Sequence, residues 1–166
     1  MGVKWTTKKD KFPDMKRTID SINSKSIEVG CIEGNHQWLA AIHEYGCDIR
    51  VTPKMRAYLH HQGLHLSPTT TEIHIPERSF LRSGHDKEAK EVMIKASKVI
   101  GQVIDGKMSE EQFFDMVGQM LATKIKTYAR DLSDPPNHPY TVDQKGSSNP
   151  LVDTGNMIEG ISFRVK

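Results

Sequence analysis

The chain has 166 residues, with 23 Lys and Arg against 21 Asp and Glu, a formal net charge of +2, and 36% apolar residues. That length fits one folding unit able to bury a core, and so small a charge excess gives no bulk electrostatic reason to read a nucleic-acid binder. No stretch approaches the roughly 20 apolar residues that span a bilayer, the opening MGVKWTTKKDKF lacks the apolar segment of a secretory signal, and Cys31 and Cys47 make no disulfide scaffold, so a reducing cytoplasm is the expected setting.

From residue 10 to about 24, Met15, Ile19 and Ile22 recur at helical spacing and Pro13 is tolerated in a first turn, which predicts a short amphipathic helix. SIEVGCIE (Ser26 to Glu33) alternates as a half-buried strand and Gly34-Asn35 turns the chain. HQWLAAIHEYG predicts a helix with Trp38, Ala41, Ile42 and Tyr45 on its inner face, ending at Gly46. From Cys47 to Thr71 the signal is mixed: a short strand, a helical turn around Met55 to His61, and polar punctuation, read as an extended excursion with hairpin character. EIHIP returns as a strand that Pro76 ends.

Two long helices follow. The first, from about Ser79 to Asp105, carries Val92, Ala96, Val99 and Val103, and Gly106 closes it. The second opens at Ser109 with a Ser-x-x-Gln capping box and carries Phe113, Val117, Met120, Leu121, Ile125, Tyr128 and Leu132. Their short connection predicts an antiparallel hairpin. Pro135 to Pro150 reads as a turn-rich loop. A helical turn starting at Asp153 or Thr154 and a strand with Ile161, Phe163 and Val165 on one face complete the chain. The expected class is α+β: a small twisted, mostly antiparallel sheet against two long antiparallel helices, plus a short N-terminal helix, all in one domain over 1–166 with a protruding excursion at about 47–71.

Catalytic chemistry finds little support. His43-Glu44 begins a zinc-protease string, but Gly46 breaks the helix and position 47 is Cys where a second His is needed. His36 and His43, with Glu33, Glu44 or Cys47, form the one metal arrangement the spacing allows, and surface or capping roles for these residues are commoner. Asp153-Thr154-Gly155 occurs once, without the partner copy an aspartic protease needs, and reads as a helix start. No nucleophile elbow and no phosphate-cradling glycine loop is present. The expectation is no catalytic residue, no metal, no cofactor and no enzymatic turnover. In ERSFLR, arginines stand beside Phe80 and Leu81, a composition that interfaces favour.

The order of these strings is more specific than any one of them. A helix ending in IHEYG, a strand running into IPERSFLR, a helical hairpin, and NPLVDTGNMIEGISFRV at the end resemble the neck proteins of tailed phages: the tail-completion, or head–tail connector, family found in prophages of Gram-positive bacteria. The resemblance covers Ser26 to Lys166. It implies a structural virion protein, assembled in the host cytoplasm and located in the tail and neck. It further implies a homo-oligomeric ring, hexamer or dodecamer, contacting connector, other neck and tail-tube or terminator proteins, with non-specific contact to DNA in the channel and no membrane. The positions that match are Glu44, Tyr45, Gly46, Pro76, Arg78, Phe80, Leu81, Leu151, Thr154, Gly155 and Ile161, as fold-defining or subunit-contact residues. Arg78 and Arg82 are expected to pair with acids on a neighbouring subunit. The alternatives are a tail terminator that fixes tube length and, in a different class, a DNA-binding packaging accessory using Lys54, Arg56 and the histidines of the excursion.

Overall fold

The structure, a computed structural model, describes residues 10–32, 34 and 36–166; Glu33 and Asn35, in the expected strand end and turn, lie outside the described residues. The elements run α1 (Phe12–Asn23), β1 (Ile27–Gly30), α2 (Gln37–Tyr45), β2 (Cys47–Arg50), α3 (Pro53–His61), β3 (Glu72–Ile75), α4 (Phe80–Ile104), α5 (Glu110–Asp131), α6 (Pro139–Lys145), α7 (Asn156–Glu159) and β4 (Ser162–Val165). The class is α+β, with α4 and α5 packed together as an antiparallel pair. The strands form two antiparallel ladders: β1 with β4 (Ile27 opposite Val165) and β2 with β3 (Cys47 opposite Ile75).

Helix α5 is the central element because both of its sides are covered. The capping box forms as expected, Gln112 N donating to Ser109 Oγ at 3.1 Å while Ser109 N donates to Gln112 Oε1 at 3.1 Å. One face meets α4, where Val92, Ala96 and Val103 pack with Phe113 and Val117; the other carries the β1–β4 ladder. Phe163 of β4 lies over Gly118, and Phe114, Ala122 and Ala129 are buried as well, four positions that the single-stripe reading of the helix did not include. Phe80, Ile125, Ala129, Leu151, Met157, Ile158 and Ile161 form the other part of the core, and Leu121 touches both parts. Of the expected inner face of the last strand, Ile161 is buried just before β4, Phe163 leans on α5, and Val165 stays on the surface.

Two glycines make this arrangement testable with opposite signs. A Cβ on Gly118 would fall 2.2 Å from the Phe163 ring, closer than any packing permits. Gly118→Ala therefore loses about 1–3 kcal/mol to overpacking, although Ala is the better helix former. Gly101 on α4 has nothing within 4 Å of such a Cβ, so Gly101→Ala gains about 0.5–1 kcal/mol. Urea unfolding of both variants checks the signs, and adding Phe163→Leu should recover much of the loss at Gly118. A gain in both variants would show that β4 does not lie on α5.

Residues 47–75 form an arm. Strands β2 and β3 pair with each other, α3 lies at the far end between them, and the arm makes only marginal contact with the helices of the body. Thr52 Oγ1 accepts from Met55 N at 3.1 Å to start α3. Arg56 closes the tip by donating to the carbonyls of Leu66 (3.3 Å), Ser67 (2.8 Å) and Thr70 (2.5 Å). The segment read as a turn-rich loop contains α6, started by Pro139 at its first position and ended by Gly146 in the left-handed region; its Pro, Asn and Ser neighbours hid seven helical residues. Among the described residues no helix is long and apolar enough to cross a membrane.

Candidate interaction site where the sequence motifs meet

IHEYG and IPERSFLR close on one another at the root of the arm. Gly46 ends α2 with φ 68° and ψ 170°, and a Cβ there would lie 2.8 Å from both Glu77 N and Ile75 O. The chain leaves into β2, returns along β3, and Arg78 N donates to His43 O at 2.7 Å. Glu44, 3% exposed on the last turn of α2, then meets the N-terminus of α4. Its carboxylate accepts from Leu81 N (2.8 Å), Arg82 N (3.0 Å), Ser79 Oγ (3.1 Å) and Arg82 Nε (3.0 Å). The first N–H groups of a helix have no partner within it and carry the positive end of its dipole. Here a carboxylate from a different helix supplies the cap. Ser79 stands at the N-cap position, but its hydroxyl makes no cap bond and donates to Glu44 instead.

This overturns the expected face of α2. Ala40 and Glu44 point inward, whereas Trp38 and Tyr45 are 66% and 64% exposed. Tyr45 lies under the Arg82 guanidinium, 4.8 Å from its ring centroid. Phe80, fully buried, seats the start of α4 in the core, with the half-buried Leu81 beside it.

The arginines are also placed otherwise than expected. Arg78 is 4% exposed and bonds within its own chain, Nε to Pro135 O (2.7 Å) and Nη2 to Pro136 O (3.0 Å) and Asn137 Oδ1 (3.2 Å). It fastens the segment after α5 onto the β3–α4 corner, and burial this deep removes it from any neighbouring subunit. Arg82 pairs with Glu44 and, at 2.7 Å, with Glu77, so its charge too is matched inside the chain. The charged faces of the long helices behave similarly: Lys124 bridges Glu88 and Glu91, while Lys126 and Arg130 reach Glu159.

The C-terminal motif comes to the same end of the molecule. Asn149 Oδ1 accepts from Leu151 N (2.9 Å) and Val152 N (3.0 Å), while its Nδ2 donates to Arg130 O (2.6 Å). Leu151 and Ile161 are buried; Gly155, at φ 83°, turns the chain into α7, and Thr154 lies on the surface with its Oγ1 3.5 Å from Asn156 N. The helix thus starts after Gly155, later than Asp153 or Thr154. Asn149 was legible as an Asn-Pro turn signal and was not singled out.

Between α2, α6 and α7 lies a cleft of about 340 Å³, lined by His36, Leu39, His43, Lys145, Leu151 and Asp153 among others. His43 Nδ1 is buried without a partner among the described residues. Burial first, then the Arg78 and Lys145 charges, lower the His43 pKa from 6.5 to about 4. The unfolded chain therefore takes up a proton over that range that the folded chain refuses, so stability is lost as pH falls from about 6.5 towards 4. The expected loss is on the order of 2 kcal/mol, allowing for solvent screening. Urea midpoints across this range should fall more steeply in the native chain than in His43→Gln; parallel curves would sink the assignment.

His36 and His43 share the cleft, but Glu44 is committed to α4, and among the described residues no three His, Cys, Asp or Glu side chains come together as a metal set. Cys31 and Cys47 are both free thiols, and burial pushes that of Cys31 up. No protein-family model, no curated protein and no solved structure matches the chain.

Proposed function

We propose that this protein is a structural virion component at the head–tail junction of a tailed phage, one subunit of a homo-oligomeric ring that completes the tail and joins it to the capsid connector, without enzymatic turnover. The observation that carries the reading is the order of the three strings IHEYG, IPERSFLR and NPLVDTGNMIEGISFRV, which fold into one connected corner. Assembly finds further support in apolar side chains left outside the core: Phe12, Met15 and Ile19 along α1, and Met93 and Ile94 on α4. Groups of this kind suit contact with another protein surface. The arm adds a two-stranded ladder with open backbone edges. A ring needs two different patches per subunit, and these features lie on different elements. The DNA-accessory reading is weakened because Arg56 is spent on three carbonyls of the arm.

Electron microscopy of particles from a host lacking this gene tests the proposal. Filled heads beside separate tails of normal length are the expected result. Tails of uncontrolled length would make the protein a terminator, and intact infectious virions would overturn the neck reading. Salt-sensitive DNA binding by the purified chain would favour the packaging accessory.

A further inference from the structure

Among the described residues, the lining of the cleft between α2, α6 and α7 carries one cation, Lys145, and one acid, Asp153, and a second cation, Arg78, lies buried against the lining residue Asn137. Arg78, behind Asn137, bonds only to neutral oxygens of Pro135, Pro136 and Asn137. Lys145 Nζ, on the cleft wall, donates only to the carbonyls of Asn149 (3.1 Å) and Pro150 (3.3 Å). Burial lowers the pKa of both cations; for Arg78 no acid opposes the shift, and for Lys145 the opposing acid is Asp153. Asp153 is the sole acid among the described lining residues, and neither cation forms an ion pair with any described residue. With two bonds made, the ammonium has one N–H left to donate. Low-dielectric walls concentrate the resulting positive potential in the cleft. Those walls include Leu39, Leu151 and Met157.

We propose that this cleft is a binding site for an organic carboxylate, which accepts a hydrogen bond from the remaining N–H of the Lys145 ammonium while its carbon chain lies against Leu39, Leu151 and Met157. Inorganic phosphate suits the cleft less well: its second negative charge meets Asp153, and it has no apolar part for the walls. A volume of about 340 Å³ accommodates either a glutamate side chain from a protein partner or a free short-chain acid. Both sources offer the same chemistry, and the inference does not depend on the phage reading.

The test is an NMR titration of the isotope-labelled full chain at pH 7, with sodium chloride holding ionic strength constant. Sodium acetate, N-acetylglutamate amide and sodium phosphate are the probes. Saturable shifts at His43, Lys145 and Leu151 are expected with both carboxylates, with phosphate weaker. Tighter binding of the capped glutamate points to a protein side chain; equal or tighter binding of acetate points to a free acid. Lys145→Gln should weaken acetate about ten-fold. Asp153→Asn, an exposed change that leaves the core intact, should tighten it several-fold. Linear shifts that chloride reproduces, affinities unchanged in both variants, or a preference for phosphate would overturn the proposal.

Discussion

Glu44→Ala is expected to lower folding stability by about 2–4 kcal/mol, from the loss of a helix cap together with hydrogen bonds to a buried charge. The carboxylate is 3% exposed and accepts four hydrogen bonds at the start of α4, two of them from backbone N–H groups that have no other acceptor within the helix. Alanine leaves those part-buried N–H groups without their acceptor, and leaves Arg82 with Glu77 and the Glu44 carbonyl as its remaining partners. Glu44→Gln keeps an acceptor oxygen and the side-chain volume, so it should cost less than half as much. Urea unfolding of the three proteins distinguishes this from a surface role, in which both changes would stay within about 0.5 kcal/mol. A loss that small would also remove the cap as the reason for a buried acid on α2.

Gly46→Ala is expected to cost about 3–5 kcal/mol, from backbone strain together with overlap. The φ of 68° with ψ of 170° is a combination only glycine adopts readily, and the atoms a Cβ would meet, Glu77 N and Ile75 O, belong to the backbone. No rotamer change can relieve such a contact. The arm root would have to open, so the variant should also show faster amide exchange at Cys47 and Ile75, which pair across β2 and β3. Gly63→Ala is the control: its φ is also positive, but nothing lies within 4 Å of the added carbon, so it should lose only the strain. Equal losses in the two variants would mean that the close approach at Gly46 contributes nothing.

Both substitutions probe why Glu44 and Gly46 stand in one short string and Pro76 and Arg78 in the other. Glu44 caps, Gly46 permits close passage, Pro76 ends β3, and Arg78 ties the segment after α5 to the corner. The corner holds the arm, the start of α4 and the C-terminal segment together. The open edges of the arm and the exposed apolar residues of α1 and α4 lie outside that corner.

The long helices were legible because their stripes repeat over many turns: Val92, Ala96 and Val103 face the core as their spacing indicates, and the Ser109 box lies where its letters stand. The strands near Ile27, Cys47, Glu72 and Ser162 were legible as segments, but not their division into two ladders, since pairing joins residues far apart in the chain. Periodicity placed Trp38 and Tyr45 inward on α2, because hydrophobicity alone ranks them above an acid.

The sequence by itself determined the class, the helical hairpin and the positions where the backbone must turn, since these follow from local stereochemistry and the apolar repeat. The tertiary structure alone decided that Glu44 is buried, that Arg78 serves its own chain, and that His43 and Lys145 share a cleft with Asp153. The partners of a charged side chain come from elements distant in sequence, and whether its charge is matched within the chain depends on which of them packing brings within hydrogen-bond reach.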